Sequence, residues 1–376
     1  MTNVRRSRIV ATVVAAVVAL FAFAGCGVGE KAAGNGTVDQ SQVDAAAKEV
    51  AQLSAPTTEK VPDSSLPIAR NKFLVSVPCS YAAEACKRSS DAVVEAASKL
   101  GWRTQMIDGA GDPEKVRQAA ETAMQLGANA VVFSAAVPDL IKDQLARLHS
   151  AGILTANVIE PTNPAFDVSV GPDHSVAGRA TVAAIAEASK GKAKILAVQN
   201  PEFPSTKNGW RGYQEGMKQY CGSCDQVATF TFQLSALNTT LPSQVQAALA
   251  AHPDVNYVWA PYDAAANAML PAVERSAHGG TIKMTGIDGN SANLGYIAQG
   301  RVQFVSAAHP VEYEAWTTVD QLNRIFSHAA TGPIGVTSPF RLFTKDNVPP
   351  SGVWLGDTDW KSAYSKIWAT AGAGAA

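Results

Sequence analysis

From Phe73 onward, short β-branched runs alternate with amphipathic helical stretches at near-regular spacing. This restricts the possible folds more than any other feature. FLVSV (73–77), TQMI (104–107), AVVF (130–133) and ILTANV (153–158) are the first strand candidates. Between the first two, Val93, Ala96, Ala97 and Leu100 recur at i, i+3, i+4 and i+7, one face of a helix. Ser89 and Ser90 offer an N-cap for it, and Gly101 a stop. Strands alternating with helices of this length predict βαβ units, hence a parallel sheet covered on both faces. The pattern restarts at DVSV (167–170). It continues through KILAV (194–198), TFTF (229–232), NYVWA (256–260), IKMTGI (282–287) and VQFVSA (302–307). Two consecutive sets predict an α/β chain of two doubly wound parallel-sheet lobes. Ligands of such sheets bind outside the carboxyl ends of the strands, so the loops there are where function is sought.

With 376 residues, 47% apolar and 17% charged, the chain has material for two cores. A net charge of −1 argues against a sequence-independent grip on nucleic acid or an anionic membrane. The N-terminus differs from the rest. Arg5, Arg6 and Arg8 precede an uncharged run from Ile9 to Ala24, and a small-residue exit follows. That run is shorter than the roughly 20 residues a membrane-spanning helix needs, and it reads as a secretory signal peptide ending near Cys26. Residues 27–70 read as a tether, rich in Gly, Ala, Ser and Pro, with one helix-prone piece, DQSQVDAAAKEVAQL.

Four further cysteines form two close pairs, Cys79 with Cys86 and Cys221 with Cys224. Export favours two local disulfides. A zinc site and a redox dithiol are the competing readings; zinc would require the pairs to converge, and no His stands at ligand spacing. No H-E-x-x-H, G-x-S-x-G or G-x-x-x-x-G-K-[ST] motif occurs, and GAGDP lacks the full dinucleotide fingerprint. The expectation is therefore a non-enzyme without cofactor or metal. His149, His174, His252 and His278 have no visible partner and are read as solvated.

The polar residues that end the strands are the candidate site. Asp288, in GIDG, follows an apolar run directly, and its carboxylate can accept two hydroxyl protons; the alternative is a helix cap. Tyr262 and Asp263 follow NYVWA, with Tyr262 ranked as the contact and Asp263 as the cap. His309 follows VQFVSAA and can donate one bond and accept another. Lys207 lies at the helix start after KILAV, while Asn157 and Glu160 end ILTANV. Ser80 and Ser134 occupy corresponding loops of the first lobe. Among Tyr81, Phe133, Phe203, Phe232 and Trp259, the rings of Tyr81 and Phe232 lie beyond strand ends and are the preferred apolar walls.

Phe23-Ala24-Gly25-Cys26 resembles the lipobox of bacterial lipoproteins, which implies a lipid on Cys26 and a position on the outer face of the cytoplasmic membrane. AHPDVNYVWAPYDAAANAML and KMTGIDGNSANLGYIAQGRVQFVSAAHP resemble the second half of type 1 solute-binding proteins, the ribose- and galactose-binding kind. DGAGDPEK, GPDHSVAGR and GWRGYQEGM extend the resemblance over about 73–310. It implies a hinge and a central cleft, with a first lobe of 71–172 plus 310–340 and a second of 173–309 plus 341–376. It also implies a monomeric receptor that delivers a small polar ligand to the permease of an ABC importer. A sugar or sugar alcohol leads, an aromatic or acidic ligand is the alternative, and a sensor feeding a signalling partner is another. The departures are Lys207 where relatives place Arg, Tyr262 for a frequent Asn, His309 for Gln or Asn, and no Asp-Arg pair after ILTANV.

Overall fold

Strands β1 (Phe73–Pro78), β2 (Arg103–Met106), β3 (Ala130–Ser134), β4 (Leu154–Val158), β5 (Val168–Pro172) and β12 (Ile334–Ser338) form a parallel sheet in the order β12-β5-β4-β3-β1-β2. This is a computed structural model, and it describes residues 37–350 and 352–373. The expected signal peptide and Cys26 lie outside those residues. Leu74, Val75, Val131 and Val132 are fully buried, as strands covered on both faces require. Helices α2 (Glu84–Lys99) and α10 (Val311–Phe326) cover one face; α3 (Pro113–Gln125) and α4 (Lys142–Ser150) cover the other.

The helix predicted between the first two strands is α2, and Gly101 beyond its end adopts φ +73°. Ser89 and Ser90 do not cap it. The helix starts five residues earlier, and both serines are buried against the sheet, Ser89 Oγ 2.9 Å from Ser134 Oγ and Ser90 Oγ 2.8 Å from Ser76 Oγ.

The second lobe holds β6 (Lys194–Gln199), β7 (Asp225–Thr231), β8 (Tyr257–Trp259) and β9 (Lys283–Met284), parallel in the order β7-β6-β8-β9. Helices α5 (His174–Ser189) and α6 (Pro204–Tyr220) cover one face, α7 (Leu241–Ala251) and α8 (Asp263–Glu274) the other. Helices α5 and α6 meet backbone to backbone: a Cβ on Gly178 would lie 2.0 Å from Gly209 O, and one on Gly212 2.0 Å from Ser175 O. Gly212 and Gly216 of GWRGYQEGM are thereby explained, the latter because a Cβ there would lie 2.8 Å from Val182 Cβ, and the contact fixes the start of α6 beside the cleft.

IKMTGI does not form one strand. It divides into β9 and β10 (Ile287–Asp288), and β10 joins β11 (Ser306–Ala308) and β13 (Arg341–Phe343) in a small mixed sheet beside α9 (Ser291–Gln299). The break falls at Gly286, where a Cβ would stand 1.9 Å from Asp263 Oδ1. The buried carboxylate takes the space that a side chain would need.

Both ends of the described chain pack on the lobes. Helix α1 (Gln40–Ser54) buries Val43, Ala46 and Val50, with Ala46 and Val50 in the second-lobe core beside α5. Its N-cap Asp39 accepts from Ser41 N at 3.0 Å. Residues 55–70 run along α10: Lys60 O accepts from Tyr313 Oη, and Asn323 Oδ1 from Ala69 N. Glu59, only 4% exposed, accepts from Asp357 N and Thr358 N. This part of the supposed tether is therefore a packed segment. Helix α11 (Trp360–Ala373) was expected with the second lobe, but its Trp360, Tyr364 and Trp368 enter the first-lobe core. Trp316 on α10 provides the reason, stacking on Trp368 with ring centres 5.0 Å apart.

Cys79–Cys86 and Cys221–Cys224 are paired at disulfide distance, with Cα atoms 6.0 and 5.0 Å apart. Among the described residues no helix is long and apolar enough to cross a membrane.

Candidate functional site

The loops after β1, β3 and β4 of the first lobe face those after β6, β8 and β10 of the second. The cleft between them consists of two adjoining pockets that share Cys79, Ala135, Phe203 and Leu234. One extends to Gly111, Val116, Val137 and Leu140; the other to Ala83, Ile159, Ser205, Tyr262 and Asp288.

Backbone strain is concentrated here. Ala135 has φ +58°, Ile159 +78° and Asp288 +111°, and each immediately follows or ends a strand facing the cleft. The left-handed region is a true outlier for a β-branched residue, and such strain persists only where surrounding structure enforces it, often at ligand sites. Ala135 N and Ile159 N donate to Val158 O and Val170 O, which holds these turns against the sheet edge.

Asp288 reaches the cleft and is 8% exposed. Behind it, His309 Nε2 lies 3.7 Å from Asp288 Oδ1, and His309 Nδ1 lies 2.7 Å from Glu314 Oε1. Burial opposes charge on this ring, but Glu314 and Asp288 outweigh it and raise the imidazole to about 9. His309 is thus a buried cation that supports Asp288; it does not itself line the cleft. Its ring packs edgewise on His174 and Phe340, at 5.7 and 5.6 Å. These three rings come from the segments where the chain passes between lobes. His174 is 4% exposed and lines the cleft, contrary to its expected solvation. Burial and then the charge of His309 lower it to about 3, so it is neutral, with Nδ1 unpartnered.

Asp263 is fully buried and, contrary to expectation, does not cap the helix it opens, since α8 (Asp263–Glu274) has no side-chain cap bond; it braces a neighbouring segment instead. Its carboxylate accepts from Asn290 N at 2.8 Å, Gln303 Nε2 at 2.9 Å and Ser306 Oγ at 3.0 Å, fixing the turn that carries Asp288. Burial and the charge of Asp288 push it up to about 8 against these donors. Burial likewise raises Asp288 itself, against the pull of His309. Tyr262 lines the cleft, and burial with the charges of Glu202 and Asp288 holds its phenol well above the usual range. Phe232 lies behind Tyr262, ring centres 6.0 Å apart, in the core. Phe203 is the ring that lines both pockets.

Most first-lobe polar candidates are occupied within the protein. Ser134 is fully buried beside Ser89. Asn157 accepts from Ala136 N and donates to Ala136 O, both at 3.0 Å, closing the loop after β3. Tyr81 Oη donates to Asp91 on α2 at 2.8 Å, and the backbone Ser80 O accepts from Ala83 N; neither residue lines either of the two cleft pockets. Glu160 spans the lobes, accepting from Ser205 N and Ser205 Oγ at 2.7 Å. Burial raises it to about 7 despite those donors. Lys207 is exposed and outside both pockets.

Residues 75–329 match the model of the periplasmic binding protein domain, so the chain belongs to that family. Solved structures confirm the fold. A sugar ABC transporter protein from Yersinia enterocolitica matches with TM-score 0.70 and 15% identity, over 83% of this chain and all of its own. The Caulobacter myo-inositol binding protein, solved with myo-inositol, matches at TM-score 0.66 and 18% identity over 74% of this chain and 95% of its own. A solute-binding protein from Mycobacterium smegmatis with bound glycerol matches at TM-score 0.66 and 20% identity, over 74% and 96%. No curated protein sequence matches. The family is one of extracytoplasmic binding proteins.

Proposed function

We propose that this protein is the extracytoplasmic receptor of an ABC importer, capturing a small sugar or sugar alcohol between its lobes and delivering it to a membrane permease. The observation that carries this reading is Asp288, a buried carboxylate on a strained strand end that faces the interlobe cleft. Hydroxyl groups supply the donors such a carboxylate takes. Ligand touching both lobes stabilises the closed state by its differential affinity for it. Inositol and glycerol in two relatives of the same fold support a polyol. Lipid on Cys26 would keep the monomeric receptor beside its permease.

The test is a thermal-shift screen over pentoses, hexoses, polyols, amino acids and aromatic acids. A ligand at 100 times its dissociation constant adds about 2.7 kcal/mol, several degrees in Tm. A sugar or polyol hit that disappears in Asp288→Asn is expected. Hits confined to aromatic acids would remove the carbohydrate reading.

A further inference from the structure

The two sides of the cleft differ in chemistry. Around Asp288, the first lobe supplies Ala83, Ala85, Ala135, Ile159 and the Cys79–Cys86 pair, without one polar side chain. The second lobe and hinge supply Asp288, Tyr262, Ser205, Thr206 and the neutral His174, whose Nδ1 is unpartnered. This asymmetry is built in. Tyr81 and Asn157, first-lobe side chains placed by sequence to meet a hydroxyl, are turned away and bonded within their own lobe, and Ser134, at the edge of the adjoining pocket, spends its hydroxyl on Ser89. Charge adds a second restriction. Asp112, Glu202 and Asp288 line the pockets, whereas neither Lys nor Arg does so among the described residues.

Resting on the receptor reading above, we infer that the ligand is uncharged and has two unlike faces. Its hydroxyls meet the second lobe, and an unoxygenated hydrocarbon face meets the first, as in a 6-deoxysugar or an O-methylated cyclitol. A fully hydroxylated sugar would leave hydroxyls buried without partners against Ala135 and Ile159, which costs affinity. A methyl group there would be desolvated against aliphatic carbon and the disulfide, and one such group changes selectivity by about 10- to 200-fold. An acidic ligand would meet three carboxylates and no fixed cation at the pocket surface. The acidic alternative raised by the sequence is therefore disfavoured.

Isothermal titration of the purified protein with matched pairs tests this: fucose against galactose, rhamnose against mannose, and an O-methyl inositol against myo-inositol. The expected result is that in at least one pair the deoxy or methylated member binds about tenfold tighter or more. Equal or tighter binding of the oxygenated member in every pair overturns the inference and leaves the receptor reading standing. No heat with any member overturns the carbohydrate reading and this inference with it.

Ile159→Asn tests which lobe reads the hydrocarbon face. Asn tolerates the positive φ that Ile159 adopts, so the variant is compatible with the backbone while placing an amide in the apolar wall. The preference ratio should fall several-fold or invert. A ratio equal to that of the parent protein overturns the assignment of that face to the first lobe.

Discussion

Glu84 on the first lobe caps a helix of the second: its Oε1 accepts from Ser291 N at 2.6 Å and from Ser291 Oγ at 2.7 Å. Helix α9 has no side-chain cap of its own, because Asn290 at its N-cap makes no such bond. One turn along α2 from Glu84, Arg88 donates to Gly289 O at 3.2 Å and pairs with Glu312 on α10 at 2.7 Å. One face of α2 thus holds both sides of the turn that follows Asp288. A carboxylate at a helix N-terminus is favourable both as a hydrogen-bond acceptor and against the helix dipole.

Because that cap exists only while the lobes are together, Glu84→Ala should favour the open form. An N-cap contributes about 1 kcal/mol, so the closed-to-open ratio of the ligand-free protein should fall about fivefold. Spin-label distances across the cleft measure it. A distance distribution identical to the parent's would remove Glu84 as a determinant of closure.

Stability should fall as pH rises from 6.5 to 9. His309 titrates near 6.5 when unfolded and is raised to about 9 here, so its contribution is complete below 6.5 and lost as pH approaches 9. Glu160 and Asp263, raised to about 7 and about 8, are carboxyls that folding holds protonated, and they act in the same direction. His174, lowered to about 3, acts oppositely but only below 6.5. A tenfold difference in proton affinity between the folded and unfolded chain is worth about 1.4 kcal/mol. The observable is a Tm several degrees lower at pH 9 than at 6.5. His309→Gln should flatten the upper part of that profile. A Tm that is constant or rises over this interval contradicts the assignment.

The two cysteine pairs should separate stability from binding. Each closes a short loop and should contribute about 2 kcal/mol through the unfolded chain. Cys79 and Cys86 also line the cleft, whereas Cys221–Cys224 lies beyond α6, where Gln42 of α1 accepts from Gly222 N. Replacing either pair with Ser should lower Tm. Only Cys79→Ser/Cys86→Ser should also weaken ligand binding in the thermal-shift screen. Equal affinity in both double variants would show that the cleft wall does not depend on that pair.

The two-lobe fold is legible in the sequence because its central strands are buried, and buried strands with amphipathic helices between them leave a strong periodic signal. The small mixed sheet is not: β10, β11 and β13 are two or three residues each, and hydrogen bonding to Asp263 and pairing across the hinge define them more than composition does. At the site, strand ends locate the cleft but not the direction of side chains. Tyr81 and Phe203 are both aromatic residues beyond a strand, and only packing decides that Phe203 faces inward while Tyr81 bonds Asp91. His174 looks solvated in sequence because its neighbours, His309 and Phe340, are remote along the chain. Ala135 and Ile159 carry no chemical signal at all; their positive φ values become visible only in three dimensions.

Helix α11 resists placement from sequence for a related reason: its large aromatic residues could serve either lobe, and nothing local chooses between them. The choice is made by α10. Trp316 is fully buried and presents its ring to Trp368 in a stack, to Trp360 edgewise at 5.6 Å, and to Tyr364 at 6.3 Å. Trp368 Nε1 then donates to Asp320 Oδ1 at 2.9 Å, and Asp320 accepts from Arg324 Nε at 2.7 Å. A buried indole with its N–H satisfied by a carboxylate is stable in one place only, which is why the tail returns to the first lobe. Trp368→Ala should therefore cost about 3–5 kcal/mol, as large-to-small substitutions in a packed core do. Trp368→Phe keeps most of the stacking area but leaves the Asp320 carboxylate short of a donor, and should cost about 1–3 kcal/mol. Denaturant unfolding gives both values, and hydrogen exchange locates the loss. Faster exchange in α10 and the first sheet, with β6 and β8 unchanged, is the expected pattern; loss centred on the second lobe would place α11 there instead.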